Sequence, residues 1–279
     1  MDIRPLSSAL GAEVTGINLN DPQDSATIEA LHAAFAEYLV LVVREQKDLT
    51  PEAQVRFCEI FGPQGLRSRP AETRREGASA PTGVMFVSNR KEDGKFIGSL
   101  PEGEMMFHID QCYVERPARA SCLYAITVPG EGGDTLFGNL CAAYDALPDD
   151  LKAVVDGHKA LNIFSYDSTS RDQVAKSENS RRYVQPMRVR HAVTDRFALY
   201  VNRLMTFSIE GMADDDAVPL LARLFDHQER PEFIYRHKWR PNDLLIWDNQ
   251  STVHARTDFD PTQDRHLRRF TVAGGPLRT

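Results

Sequence analysis

The chain has 279 residues, 42% of them hydrophobic and 9% aromatic, enough for one large domain or two small ones around a sizeable core. A formal net charge of -7 excludes a general affinity for nucleic acid, because no basic stripe offsets the phosphate repulsion. No apolar signal core follows Met1, no run approaches the roughly 18 apolar residues of a membrane span, and Cys58, Cys112, Cys122 and Cys141 lack CxxC spacing. These features predict a cytoplasmic protein with no membrane contact and with reduced, partly buried thiols.

In chain order, Gly11 to Leu19 reads as a short strand. Asp24 and Ser25 then cap a helix that places Ile28, Leu31, Phe35 and Leu39 on one face. Leu39 to Val43 is a continuous apolar run, the mark of a buried strand. Pro51 follows Thr50 at the start of a second helix that ends near Phe61 and Gly62. From Pro63 to Pro81 the chain is rich in Arg, Glu, Gly and Pro, which predicts a mobile loop. Strands are predicted at 84–88, leading through a turn at Glu92-Asp93-Gly94 towards His108, and again at 123–128 and 134–137. A helix is expected from about Leu140 to Gly157, then a less regular insertion at about 160–185. Further strands at 187–190, 198–201, 233–236, 244–247 and 265–272, and a helix near 214–228, complete the pattern. Many short strands with few crossover helices point to a mainly β fold with flanking helices, an antiparallel sandwich.

The chemistry concentrates in a few places. On a strand His108 and Asp110 point to one face, offering an imidazole nitrogen beside a carboxylate oxygen, two parts of a two-histidine, one-carboxylate metal site. His254, just beyond the apolar run into Trp247-Asp248-Asn249, supplies the third ligand if the sandwich brings the strands together. His32, His158, His191, His227, His237 and His266 have no such setting and read as structural or surface residues. Alternation on the last strand groups Arg265, Leu267 and Arg269 on one face, with Arg268 and Phe270 on the other, and an inward Arg269 is a natural carboxylate anchor.

His108-x-Asp110, Gly132-Gly133-Asp134-Thr135-Leu136, Trp247-Asp248-Asn249 with His254, and Arg265-x-x-x-Arg269 resemble, in order and spacing, the Fe(II)/2-oxoglutarate dioxygenases of the taurine dioxygenase and 2,4-dichlorophenoxyacetate dioxygenase family. The resemblance covers nearly the whole chain and implies one dioxygenase domain over 1–279 with a double-stranded β-helix, or jelly-roll, core. It also implies that His108, Asp110 and His254 bind Fe(II). Thr135 and a bidentate Arg269 would hold the distal carboxylate of 2-oxoglutarate, with Arg265 near its other carboxylate or the substrate's anion. Phe107 stands where the family commonly has tryptophan.

The implied reaction couples decarboxylation of 2-oxoglutarate with O2, releasing succinate and CO2, to hydroxylation of a small anionic molecule. Where the oxidised carbon bears a heteroatom, the C–O, C–N or C–S bond then breaks. Asp110 favours hydroxylation, since related halogenases carry a small residue there. Met106 and Glu104, sharing the His108 strand face, and Arg67 and Arg69 in the loop at 63–81 are the candidate substrate residues. Phe164, Tyr166 and Met205 are wall residues or core. The loop and the 160–185 insertion are expected over the site. Two alternatives stay open: a zinc hydrolase on the same ligands, and a non-catalytic binding protein on this scaffold. Relatives often form dimers or tetramers, so a homo-oligomer is expected.

Overall fold

Short runs of β-branched and aromatic residues, closed by Gly, Pro and Asp turns, fold into two principal sheets with helices against one of them. The structure, a computed structural model, describes residues 1–65, 83–99, 104–165 and 171–279. Strands β1 (Asp2–Pro5) and β2 (Ala12–Thr15) precede helix α1 (Ser25–Tyr38), where the Asp24 side chain accepts from Thr27 N. Leu39 ends that helix at φ 62 and leads into β3 (Val40–Val43). Helix α2 (Pro51–Glu59) starts with the Thr50 side chain accepting from Ala53 N. Next come β4 (Met85–Ser88), the small pair β5 (Lys91–Glu92) and β6 (Lys95–Phe96), β7 (Met105–His108), β8 (Ala120–Thr127) and β9 (Thr135–Asn139). Helices α3 (Leu140–Asp145) and α4 (Asp149–Gly157), strand β10 (Lys159–Phe164), helix α5 (Arg171–Lys176) and strands β11 (Arg181–Pro186), β12 (Arg188–Arg190), β13 (Phe197–Leu199) and β14 (Thr206–Ile209) follow. The chain closes through α6 (Asp214–Gln228), β15 (Ile234–His237), β16 (Leu244–Asp248), β17 (Thr252–Arg256) and β18 (His266–Val272).

The larger sheet has the order β1-β2-β3-β16-β8-β18-β4 and the smaller β15-β9-β17-β7. All pairs are antiparallel except β2 with β3. Alternation sorts the large sheet's side chains to two destinations. Val40, Val42, Leu123, Leu245, Trp247 and Leu267 meet Phe137 and Tyr235 of the small sheet between the layers. Leu41, Val43, Cys122, Ile246 and Phe270 turn the other way, under Leu31 and Phe35 of α1 and Phe57 of α2. The two facing sheets are the jelly-roll core expected from the sequence, and all four cysteines are buried free thiols.

Two expected elements differ. The single helix at 140–157 is two helices, because Pro148 lacks an amide hydrogen and its ring drives Leu147 out of helical geometry. The described residues of the stretch at 160–185 are not irregular: β10 pairs with β11 from Lys159↔Pro186 to Phe164↔Arg181, and with β14 on its other edge. The polar Asn162 concealed this strand; it is buried, and its side-chain oxygen accepts from the Thr206 hydroxyl at 2.8 Å.

Candidate active site

The three expected ligands converge. Strand β17 pairs with β7 so that His254 lies opposite His108, which puts the two imidazoles side by side with ring centroids 4.0 Å apart. Strand β7 stops at His108, so Asp110 belongs to the following turn, where Gln111 adopts φ 58. His108 Nε2 is 3.9 Å from Asp110 Oδ1 and His254 Nε2 is 3.8 Å from Asp110 Oδ2. Donor atoms of all three lie within 4.8 Å of one another, and all three residues are buried.

Their protonation suits a metal. His108 Nδ1 lies 3.0 Å from the carbonyl of Met106, which fixes the proton on Nδ1 and leaves the Nε2 lone pair facing the cluster. Burial lowers the pKa of His108 and lowers that of His254 further, with its neighbour His108 adding to the shift, so both rings are neutral ligands. Burial alone would raise the Asp110 carboxyl. The Arg269 guanidinium, both imidazoles and the Ser121 hydroxyl together hold it well below the usual carboxylate range. Two neutral imidazoles and one carboxylate with room beside them match a facial triad for Fe(II).

Asp110 is held at both ends. Its Oδ2 accepts from the Ser121 hydroxyl at 2.7 Å and from Arg269 Nη2 at 2.5 Å. Its peptide is clamped by Asn249, whose Oδ1 accepts from Asp110 N at 2.9 Å and whose Nδ2 donates to Asp110 O at 2.8 Å and Ala118 O at 3.0 Å. Beside it, Asp248 accepts from Arg119 and from Gln250 N and Ser251 N, and lies 3.1 Å from His191 Nε2. The Trp-Asp-Asn block is therefore a buried scaffold under the metal ligand, a role its spacing alone did not disclose.

A cavity of about 40 Å³ opens beside the cluster, lined by His108, His254, Thr135, Arg256, Arg265 and Arg269 with Val87, Leu123 and Trp247. Gly132 and Gly133 build one end of it. Both take positive φ, and a Cβ on Gly132 would stand 2.3 Å from the Asp258 carbonyl oxygen, so only glycine lets this turn pack and deliver Thr135. Arg265 donates Nε to the Gly133 carbonyl at 3.2 Å and is 3% exposed. Burial lowers its pKa to about 9, the neighbouring Arg256 contributing, and burial lowers that of Arg256 to about 10. Among the described residues Arg265 forms no salt bridge, so this end of the cavity is strongly electropositive. Arg269 lines the cavity at the other end, where its Nη2 donates to Asp110 Oδ2 and to the Ser121 hydroxyl.

The expected strand face is corrected by a bulge. His254 pairs with His108 but Arg256 with Met105, so β7 fits one extra residue between them. Met105, not Met106, shares the cavity with His108; Met106 is 40% exposed and Glu104 is exposed. Phe164 stacks on Tyr113 at 4.8 Å and Met205 receives the Cys112 thiol at 3.6 Å, so both are core. Phe107 packs half-buried against that same cluster. Arg67, Arg69 and Tyr166, with most of the loop at 63–81, lie outside the described residues. The other six histidines take no part in the cluster: His227, for example, contacts the Ala143 carbonyl and His266 the Ser88 hydroxyl.

Residues 2–271 match the family model described as "Taurine catabolism dioxygenase TauD, TfdA family". The chain is 32% identical over 285 residues to an (S)-phenoxypropionate/alpha-ketoglutarate-dioxygenase from Sphingobium herbicidovorans, covering 99% of this chain and 96% of that protein. It is 30% identical to an alpha-ketoglutarate-dependent sulfate ester dioxygenase from Pseudomonas putida, covering 98% and 90% respectively. Among solved structures, AAD-2 in complex with Mn(II) and N-oxalylglycine superposes with a TM-score of 0.80 at 29% identity, over 100% of this chain and 99% of that one.

Proposed function

The chain belongs to the TauD/TfdA family of 2-oxoglutarate-dependent dioxygenases, and on that premise we propose how its residues divide the work and which substrates it takes. The observation that carries the reading is one cavity with a metal-binding triad at one end and a buried cationic end built from Arg265 and Thr135 at the other. His108, Asp110 and His254 hold Fe(II). When bound, the iron supplies the oxidising chemistry, which consumes O2 and 2-oxoglutarate and releases succinate and CO2. Arg265 and Thr135 hold the distal carboxylate of 2-oxoglutarate, while Arg269 keeps Asp110 ionised and stands near the carboxylate at the metal end. This exchanges the roles expected for the two arginines, because Arg269 is committed to Asp110 and Arg265 is buried at the far end.

The substrate is a small anionic molecule, oxidised at a carbon next to oxygen so that hydroxylation breaks a C–O bond. Two relatives named for a phenoxypropionate and for sulfate esters support this class. Met105 forms part of the substrate wall, and Arg67 or Arg69 grips the anion, a role that unchanged substrate binding in Arg67→Ala and Arg69→Ala variants would exclude. Cytoplasmic residence, a self-associated state and no role for nucleic acid belong to the same reading. Four buried free thiols support the reducing compartment, and the negative net charge supports the absence of a nucleic-acid partner.

The test is succinate release from the Fe(II)-loaded protein with aryloxypropionates, alkyl sulfates and sulfonates, alongside Arg265→Ala. The expected result is substrate-stimulated succinate that Arg265→Ala suppresses by raising KM for 2-oxoglutarate. Full activity of Arg265→Ala at low 2-oxoglutarate would refute the assignment.

A further inference from the structure

Thr135 does not stand alone on the cavity wall. Its Oγ1 accepts a hydrogen bond from the indole Nε1 of Trp239 at 3.0 Å. The chain brings the two together through strand pairing: Thr135 at the start of β9 is opposite His237 at the end of β15, and Trp239 follows two residues later. The indole is itself fixed. It is half-buried against the inter-sheet core, and the His237 ring meets it edge-on at 4.5 Å between centroids. His237 is buried in turn, contacting the Tyr235 hydroxyl at 3.1 Å.

A threonine hydroxyl has one proton and two lone pairs, whereas an indole N–H can only donate. The indole therefore occupies a lone pair of Oγ1, and the hydroxyl proton must point elsewhere. Threonine is branched at Cβ and stiff at χ1, so its oxygen has few other places to go. Thr135 lines the cavity together with Arg265, and no other hydrogen bond from its hydroxyl is formed among the described residues. A hydroxyl with both lone pairs free could meet a ligand as donor or acceptor; one that already accepts from Trp239, with its proton unclaimed, is biased towards presenting that proton.

We infer that Trp239 is a positioning residue that biases the Thr135 hydroxyl towards donating, so that this end of the cavity favours a group made only of acceptors, a carboxylate, over an amide or alcohol. This rests on the reading that Thr135 and Arg265 hold the distal carboxylate of 2-oxoglutarate. It adds a residue that makes no contact with the cosubstrate and yet sets its affinity.

The experiment is a double-mutant cycle on anaerobic N-oxalylglycine binding to the Mn(II)-loaded protein, using wild type, Trp239→Phe, Thr135→Val and the double variant. Trp239→Phe keeps an aromatic ring and removes the donor. It is expected to weaken binding about fivefold and Thr135→Val about tenfold, with the double variant no weaker than Thr135→Val. Binding of pyruvate, which lacks the distal carboxylate, should be unchanged throughout. An equal loss from Trp239→Phe in both backgrounds, or no loss, would overturn the inference, since packing alone would act without Thr135. Unchanged binding in Thr135→Val and Arg265→Ala would instead remove the underlying reading, and this inference with it. A second readout needs no change at Trp239. The chain has two tryptophans, so a 15N-labelled Zn(II)-loaded sample shows two indole N–H signals, assigned with Trp247→Phe. The Trp239 signal should move on adding N-oxalylglycine and in Thr135→Val; a signal indifferent to both would refute the coupling.

Discussion

Replacing Asn249 by alanine tests whether the metal ligand is positioned by its peptide as well as by its carboxylate. The substitution deletes three hydrogen bonds at a fully buried site and leaves Asp110 N, Asp110 O and Ala118 O without that partner. Each buried group left unsatisfied costs about 1–3 kcal/mol, so the sum over the three is roughly 3–9 kcal/mol, with the lower end reached if water enters the space. That is a large part of the 5–15 kcal/mol typical of a folded domain, so the variant should fold with little margin. Metal affinity should fall as well, by about 10- to 100-fold, the usual effect of losing a group that orients a ligand. Urea unfolding gives the first quantity and Mn(II) titration of the folded variant the second. Leu224→Ala, which removes a buried side chain from the cluster under α6, is the control: it should cost about 2–5 kcal/mol and leave Mn(II) affinity unchanged. If Asn249→Ala also lost stability and kept its metal affinity, the amide would be a structural tie only, and the positioning argument would fail.

Removing the guanidinium in Arg269→Met leaves burial to raise the Asp110 pKa unopposed by its strongest cation. Mn(II) binding should then weaken at pH 5, where a proton competes for the carboxylate, and be no weaker at pH 8; superimposable pH curves would contradict this. Asp248 is lowered to about 2, Arg119 and His191 outweighing the burial that would raise it. Its contribution of roughly 2 kcal/mol is therefore complete above about pH 4 and lost as pH falls through about 2, so the stability gap between wild type and Asp248→Asn should close over that interval in acid unfolding. Met105→Ala should change KM for the primary substrate while Met106→Ala does not; the reverse result would mean that β7 is regular. Gly132→Ala should lower Tm far more than Gly94→Ala, because both have positive φ but only Gly132 meets a backbone oxygen; equal shifts would leave strain, not collision, as the cause.

Much of the proposed site was legible because metal ligation and anion binding need particular side chains: His108, Asp110, His254, Thr135 and the two arginines all line or flank one cavity. What eluded sequence reading depends on through-space partners. Period-two alternation assigned Met106 to the His108 face, and a bulge, which has no composition of its own, handed that place to Met105. The exchange of roles proposed for Arg265 and Arg269 rests on which one lies beside Asp110, something spacing along a strand does not determine. Asn249 and Trp239 are ordinary strand-end residues until their hydrogen-bond partners, distant in sequence, are known. Pro148 was a readable signal that a helix could not pass, whereas β10 was hidden by a buried asparagine satisfied from β14.

The bulge in β7 also separates two demands on one short strand. His108 is tied to His254 by pairing, while Met105 lines the cavity beside it, and the surplus residue between them lies on a strand with one neighbour among the described residues. Length changes just ahead of His108 can thus be absorbed at the rim of the barrel mouth without moving the imidazole. Chain length there, as much as side-chain identity, becomes a variable by which related sequences can reshape what the mouth admits while the oxidising centre stays where it is.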